Sequence, residues 1–476
     1  ELHGKDKLAW TKLVATIQKL SVGDGIQYQH LKPTTDDWQQ GLVIYDFNIQ
    51  STTPVASKTF YLSGADTYWT NKGLSEIGPF VNGNKSSAVE KIDKSFYPVR
   101  KAVISTNFVN SNRKIEVLSQ VRPGDWGNTK VDFLIYDLGR AYPTVFLAQN
   151  ADSWEVGDEV LFTSTDYDLE QAEIGVVYPC SNCNKTNRIR VNFVPQYVHW
   201  SKLENNVDER GEVALLTHNI KIRGETQLSC PLSNGNCNDY AYDTFGGHIK
   251  VLRYFSNVHI EGVQLDNMGQ ATSIGNYPIH FHMCHDMDDQ NYPNPPYIRK
   301  SSITRSFARC ITIHGSHGLK VEDNVCYDII GHSIFLEDGG EKRNVIDGNL
   351  VSFTRQGKLL PSDIKPSSFW ITNPQTVVRN NVAAGSEANG FWIIFPDEPT
   401  GLSKGLGFMA LNEAKHTKIT EWRNNLAHSN HETGLFVDNR INVDTLEVFG
   451  NNDYYPRTMP RDPENVNARD DPVYID

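Results

Sequence analysis

The chain has 476 residues, fifteen histidines and a formal charge of −12. That length suffices for two or three structural units with a sizeable core. The negative balance argues against a nucleic-acid binder, which needs a basic surface to neutralise phosphates. No apolar run reaches about 18 residues, so this segment holds no candidate membrane-spanning helix. Because the chain starts at Glu1 without Met, any anchor or export signal is expected in sequence outside it.

In chain order, residues 1–25 read as the end of a preceding region, with a short amphipathic piece over Leu8–Leu20 and a Gly turn. Residues 26–105 read as a compact mixed α/β domain. GLVIYDFNI (Gly41–Ile49) alternates as a strand, and Ser86–Lys94 carries Ser87 and Glu90 at capping-box spacing for a helix. From Lys101 helix signals fade. KIEVL, KVDFLIYD, TVFLA and Trp154–Phe162 predict strands separated by Asn, Gly and Pro turns, so residues 106–210 are expected to form a β-rich connection.

Residues 211–476 are repetitive. Val321–Asp338, Val345–Asn373, Val377–Ile394 and Glu421–Asp438 align, each with an Asn (Asn324, Asn349, Asn381, Asn425) ahead of a short strand pair. Coils of about 20–25 residues with a polar turn residue predict a parallel β-helix, taken as right-handed. The Asn is expected to tolerate left-handed geometry and to bond its counterpart on the next coil. The fold class is therefore mainly β.

Strand period fixes the columns. Ile279/Phe281, Ile311/Ile313, Ile334/Leu336, Phe369/Ile371, Phe391/Ile393 and Leu435/Val437 are expected inside. Outside, one column runs His280, Thr312, Phe335, Trp370, Trp392, Phe436. The other runs His282, His314, Glu337, Thr372, Ile394, Asp438. With rungs about 4.8 Å apart, a His/Glu strip would continue into an aromatic strip. Such a surface suits a long anionic sugar polymer: Phe335, Trp370 and Trp392 would stack sugar faces, and Arg305 and Arg309 would clamp carboxylates.

Glu337 and Asp338 are the candidate acid/base or nucleophile, with His280, His282 and His314 moving or tuning protons. As neighbours on a strand the two carboxyls face opposite ways unless the Gly339–Gly340 turn swings Asp338 round. Asp286 and Asp288, in HDMDD, are candidate calcium ligands. The His280–Phe281–His282 pair suits a transition metal, but no third ligand is identifiable.

Cys180/Cys183 and Cys230/Cys237 are spaced for local disulfides. Cys284, Cys310 and Cys326 leave at least one thiol free or paired elsewhere. Asn84 and Asn184 head glycosylation sequons. An extracellular or cell-surface protein is expected.

ELHGKDKLAWT, SWEVGDEVLFTSTDYDLEQAE (Ser153–Glu173), DTFGGHIK, YPIHFHM, ARCITIHGSHGL, GHSIFLEDG and AAGSEANGFWIIFPDEPTG together resemble the cell-migration-inducing hyaluronidase family and its cell-surface relatives. The resemblance implies endo-hydrolysis of hyaluronan or a similar glycosaminoglycan outside the cell, with a calcium requirement. It also implies a G8-type domain before Glu1, a shortened GG-type domain within 26–105, and further β-helix after Asp476. Fibrocystin-like receptors share the HFH, TIHG and EDG elements without being known as enzymes. A non-catalytic hyaluronan-binding or adhesion module is thus one alternative, and a uronate polymer lyase another.

Overall fold

The computed structural model describes residues 143–473 apart from short stretches, the longest being 225–243, and upstream of 143 the strands alone. Between Asn257 and Val437 the chain makes six consecutive coils, each of three short strands. One coil comprises Lys320–Glu322, Val325–Ile330 and Ile334–Leu336. Each of these strands pairs in parallel with the corresponding strand one coil on. Stacking all coils builds three parallel sheets around one core, so the chain is a parallel β-helix as expected.

The interior is the alternation read from the sequence. Ile279, Phe281, Ile311, Ile313, Ile334, Leu336, Phe369, Ile371, Phe391 and Ile393 belong to one buried cluster. Leu435 and Val437 depart from that expectation, at 38% and 39% exposure. Their strand pairs only with Asn389–Ile393 among the described residues, so no further coil covers them there.

The turn between the first and second strand of the last four coils holds the repeat together. Asn324, Asn349 and Asn381 each donate from Nδ2 to Oδ1 of the next Asn, at 3.0, 3.0 and 3.1 Å. Their backbone amides donate to the same oxygens. The second Nδ2 hydrogen of each, and of Asn425, reaches a carbonyl of the preceding coil. The left-handed residue is not the Asn itself but the one before it: Asp323, Gly348, Asn380 and Asn424 all have φ between 51° and 71°. That residue turns the chain, and the Asn is free to aim along the stack.

Coil length varies more than the sequence repeat suggested. Successive ladder asparagines are 25, 32 and 44 residues apart. The growth comes from residues 356–366 and 394–420, inserted around the strand Ser367–Ile371 and after Asn389–Ile393.

The division expected at residue 211 differs from the sheet order. Strands at 43–45, 47–50, 58–62, 103–105 and 114–118 already pair in parallel within the three sheets. The helix expected over 86–94 lies outside the described residues, as do Cys230, Cys237 and both sequons. Residues 128–215 are a closed antiparallel barrel, not a simple connection. It interrupts one coil, between the strands Lys114–Leu118 and Ile220–Gly224. Leu161, Ala214 and Leu216 at the barrel's edge pack on Val325, Leu350, Val382 and Ala384 of the β-helix.

Asn349→Ala removes five side-chain hydrogen bonds and orphans the buried Asn324 amide and Val321 carbonyl on the preceding coil, while the amide of residue 349 still reaches Asn381. At about 1–3 kcal/mol per stranded group, the variant is expected to lose at least about 3 kcal/mol in urea unfolding. A loss below about 1 kcal/mol would contradict the ladder's role.

Candidate active site

Sheet register brings the titratable residues together. His280 lies opposite Thr312, Phe335, Trp370, Trp392 and Phe436 on successive strands, and His282 lies opposite His314, in the columns expected. Glu337 follows the strand Ile334–Leu336 and donates its amide to Ile313 O at 3.0 Å. Beyond His282 the pairing slips, with Met283 and His285 at positive φ, so the strand bulges away from the cluster.

His314 is the hub. Its Nε2 lies 2.6 Å from Asp338 Oδ2, and its Nδ1 lies 3.1 Å from His282 Nδ1 and 3.4 Å from Glu337 Oε2. Glu337 and Asp338 therefore converge on opposite edges of one imidazole, although they are adjacent in sequence. Asp338 swings round because the strand ends at Leu336 and Gly339 takes φ +87°, where an added Cβ would come within 2.2 Å of Pro396. A second glycine makes room for the carboxylate itself: a Cβ on Gly401 would lie 2.3 Å from Asp338 Oδ1. Ser403 N then donates to Asp338 Oδ2 at 3.0 Å.

The same contacts separate the two carboxyls electrostatically. Burial raises the pKa of Glu337 and prevails over the lowering effect of His314 and Arg309. Burial pushes Asp338 the same way, but the bonds from His314 and Ser403 hold it below the usual carboxylate range. His314 is raised: Asp338 and Glu337 outweigh the burial that disfavours its charge. Burial, then His314 and Lys250, bring His282 down to about 3. His280 is lowered by burial and by His282. A carboxyl pair driven in opposite directions is the pattern of acid–base sites.

Several supporting residues carried no sequence signal of their own. Glu341 accepts the amides of Gly315, Asp338 and Gly339 at 2.8, 3.0 and 2.7 Å, and burial lifts its pKa to about 7. Tyr277 OH lies 3.5 Å from Glu337 Oε1. Asp363 pairs with Arg309 at 2.5 Å with both side chains wholly buried.

Other expected residues sit differently. Arg309 cannot clamp a sugar carboxylate, since it is sealed under Phe335 and committed to Asp363. Arg305 lies in a strand of another sheet, Ser302–Ser306, and binds Asp266 there. The aromatic column exists but is not a shelf. Trp392 and Phe335 are 0% and 2% exposed, because His332 and neighbouring rings pack over them. Trp370, half-buried, is the member that reaches a cleft.

The aspartates proposed for calcium, Asp286 and Asp288, both engage Arg343. They present their charge to a guanidinium instead of converging as an oxygen cage, so they do not fit a calcium ion. Cys180–Cys183 is a disulfide as expected, Cys310 pairs with Cys326, and Cys284 is the buried free thiol among the described residues.

The cleft measures about 340 Å³ and is lined by Glu337, Asp338, Pro361, Trp370, Thr372 and Thr400, among others. Its rim comes from the two inserted loops. A larger hollow of about 630 Å³ beside Arg253, Tyr254 and Asp289 holds none of the histidine–carboxylate cluster.

Fold and site together define a parallel β-helix carrying a histidine-bridged carboxyl pair at a cleft. Residues 244–435 match the family described as CEMIP beta-helix. The chain is 42% identical over 322 residues to the mouse cell migration-inducing and hyaluronan-binding protein, and 40% over 321 residues to the zebrafish cell surface hyaluronidase. Each match covers 62% of this chain and 23% of the relative. Mouse fibrocystin-L is 32% identical over 320 residues, covering 61% of this chain and 7% of that protein. The matched region thus spans less than a quarter of each of these relatives.

Asp363→Ala strands Arg309 as a buried charge. Breaking such a pair costs about 3–5 kcal/mol, so chemical denaturation should show a loss of that size. A near-neutral variant would mean that Arg309 reaches solvent.

Proposed function

We propose that this chain is the hyaluronan-cleaving part of an extracellular or cell-surface glycosidase, acting within the polymer at the Glu337–Asp338 cleft. The observation that carries this reading is the His314 bridge, which holds two carboxyl groups on one imidazole beside a cleft walled by an indole. Glycosidic cleavage needs one group to protonate the leaving oxygen and another to act as base or nucleophile. Glu337, driven toward its neutral form, suits the acid. Asp338, held ionised, suits the second role, with His314 fixing both. Trp370 supplies a face for a sugar ring. The names of the related proteins support hyaluronan as the polymer, and two disulfides agree with an oxidising compartment. Arg305 and Arg309 have no part in holding uronate groups in this reading.

Long hyaluronan incubated with the purified chain is expected to shorten progressively and gain reducing ends, without the ultraviolet-absorbing unsaturated uronate that a lyase would leave. Glu337→Gln keeps the shape and removes the proton, so cleavage should fall by at least about 10²-fold while binding of hyaluronan oligosaccharides holds. Binding without any shortening by the wild-type chain would establish an adhesion module instead.

A further inference from the structure

His280, His282 and His314 turn three rings toward one space. Their nearest ring nitrogens all lie within 4.8 Å of one another, with the His282–His314 pair at 3.1 Å. Two nitrogens bound to one tetrahedral zinc at 2.0–2.1 Å sit about 3.3 Å apart, so modest ring movement closes the set. The rings of His280 and His314 are parallel, with 3° between their planes, and His282 stands at 71° to both.

The outward-facing nitrogens are already spoken for. His280 Nδ1 lies 2.8 Å from Gly275 O, and a carbonyl only accepts, so the proton sits on Nδ1 and Nε2 keeps its lone pair. That Nε2 is fully buried, has no hydrogen-bond partner, and faces Glu337 Oε2 at 3.7 Å. Glu337 Oε2 has no hydrogen-bond partner either. Two lone pairs facing each other in a buried site repel unless a proton on Glu337 or a bound cation lies between them. On the far side, Asp338 takes the Nε2 hydrogen of His314 at 2.6 Å, leaving Nδ1 for the shared space. Carbonyl and carboxylate partners behind the rings are the usual support of metal-binding imidazoles.

We infer that His280, His282 and His314 bind a divalent transition metal of the zinc class, with Glu337 at its open side. Three imidazoles select zinc, cobalt, nickel or copper over calcium or magnesium, which take oxygen ligands. Three protein nitrogens leave the fourth position for water, which Glu337 Oε2 is placed to meet. This site stands apart from the Asp286/Asp288 pair and goes beyond the proposed cleavage, because metal binding is read with no substrate present.

The full chain would be stripped with a chelator, dialysed against zinc or cobalt(II), and assayed for bound metal by mass spectrometry and for the visible absorption of cobalt. About one metal per chain is expected. His282, half-buried, is the safest ligand to remove: His282→Ala should abolish stoichiometric binding with an unchanged circular dichroism spectrum. Asp338→Asn should weaken affinity by about 10–100-fold, and His416→Ala, elsewhere on the surface, should bind as the wild type does. No bound metal in the wild type, or binding that survives His282→Ala as an adventitious ion would, overturns the inference. Either result leaves the cleavage assay free to succeed or fail independently.

Discussion

The asparagine ladder is the constraint on which the rest of the structure depends. In a parallel sheet a one-residue slip turns every side chain to the opposite face, and nothing in a run of Val and Ile prevents it. Here each ladder Asn binds the next through both its side-chain and backbone donors, and the residue before it takes the left-handed turn. Coil insertions can then lengthen the repeat from 25 to 44 residues without disturbing the alignment. Toward the site Ser301 continues the stack, its amide donating to Asn324 Oδ1 and its hydroxyl accepting from Val263 N. In that register His282 lies over His314 with Glu337 beside them.

The insertions turn an aligned column into a site. A bare β-helix face would expose its outward residues evenly. Loops at 356–366 and 394–420 instead bring Asp363 to Arg309 and Ser403 to Asp338, while His332 and neighbouring rings pack over Trp392 and Phe335. What remains open is a cleft beside Glu337, Asp338 and Trp370. Buried ionic contacts contribute little net stability, so the Arg309–Asp363 pair and the three amides on Glu341 are better understood as fixing geometry around the two carboxyls.

The columns were legible in the sequence because strand period and a recurring Asn are local signals. His280, His282, His314 and Glu337 met as the period required, and the aromatic column paired residue by residue. Burial was not legible, since what covers an outward residue comes from a loop dozens of positions away. Arg309 had the right charge and the wrong exposure for that reason. Arg305 failed differently: four residues along the chain moved it to another sheet. The column already placed His314 over His282, but strand period does not say which way the three rings turn, so their convergence was not read as a ligand set. The barrel, inserted within a single coil, broke the expectation of a continuous connection at 106–210.

The central claim is that one cleft, at the histidine-bridged carboxyls, receives the polymer. It is tested most directly by a crystal structure of the Glu337→Gln variant with a hyaluronan hexasaccharide. The account predicts a sugar ring on Trp370 and a glycosidic oxygen within hydrogen-bond reach of residue 337. An oligosaccharide bound on another face of the β-helix, leaving this cleft empty, would contradict it.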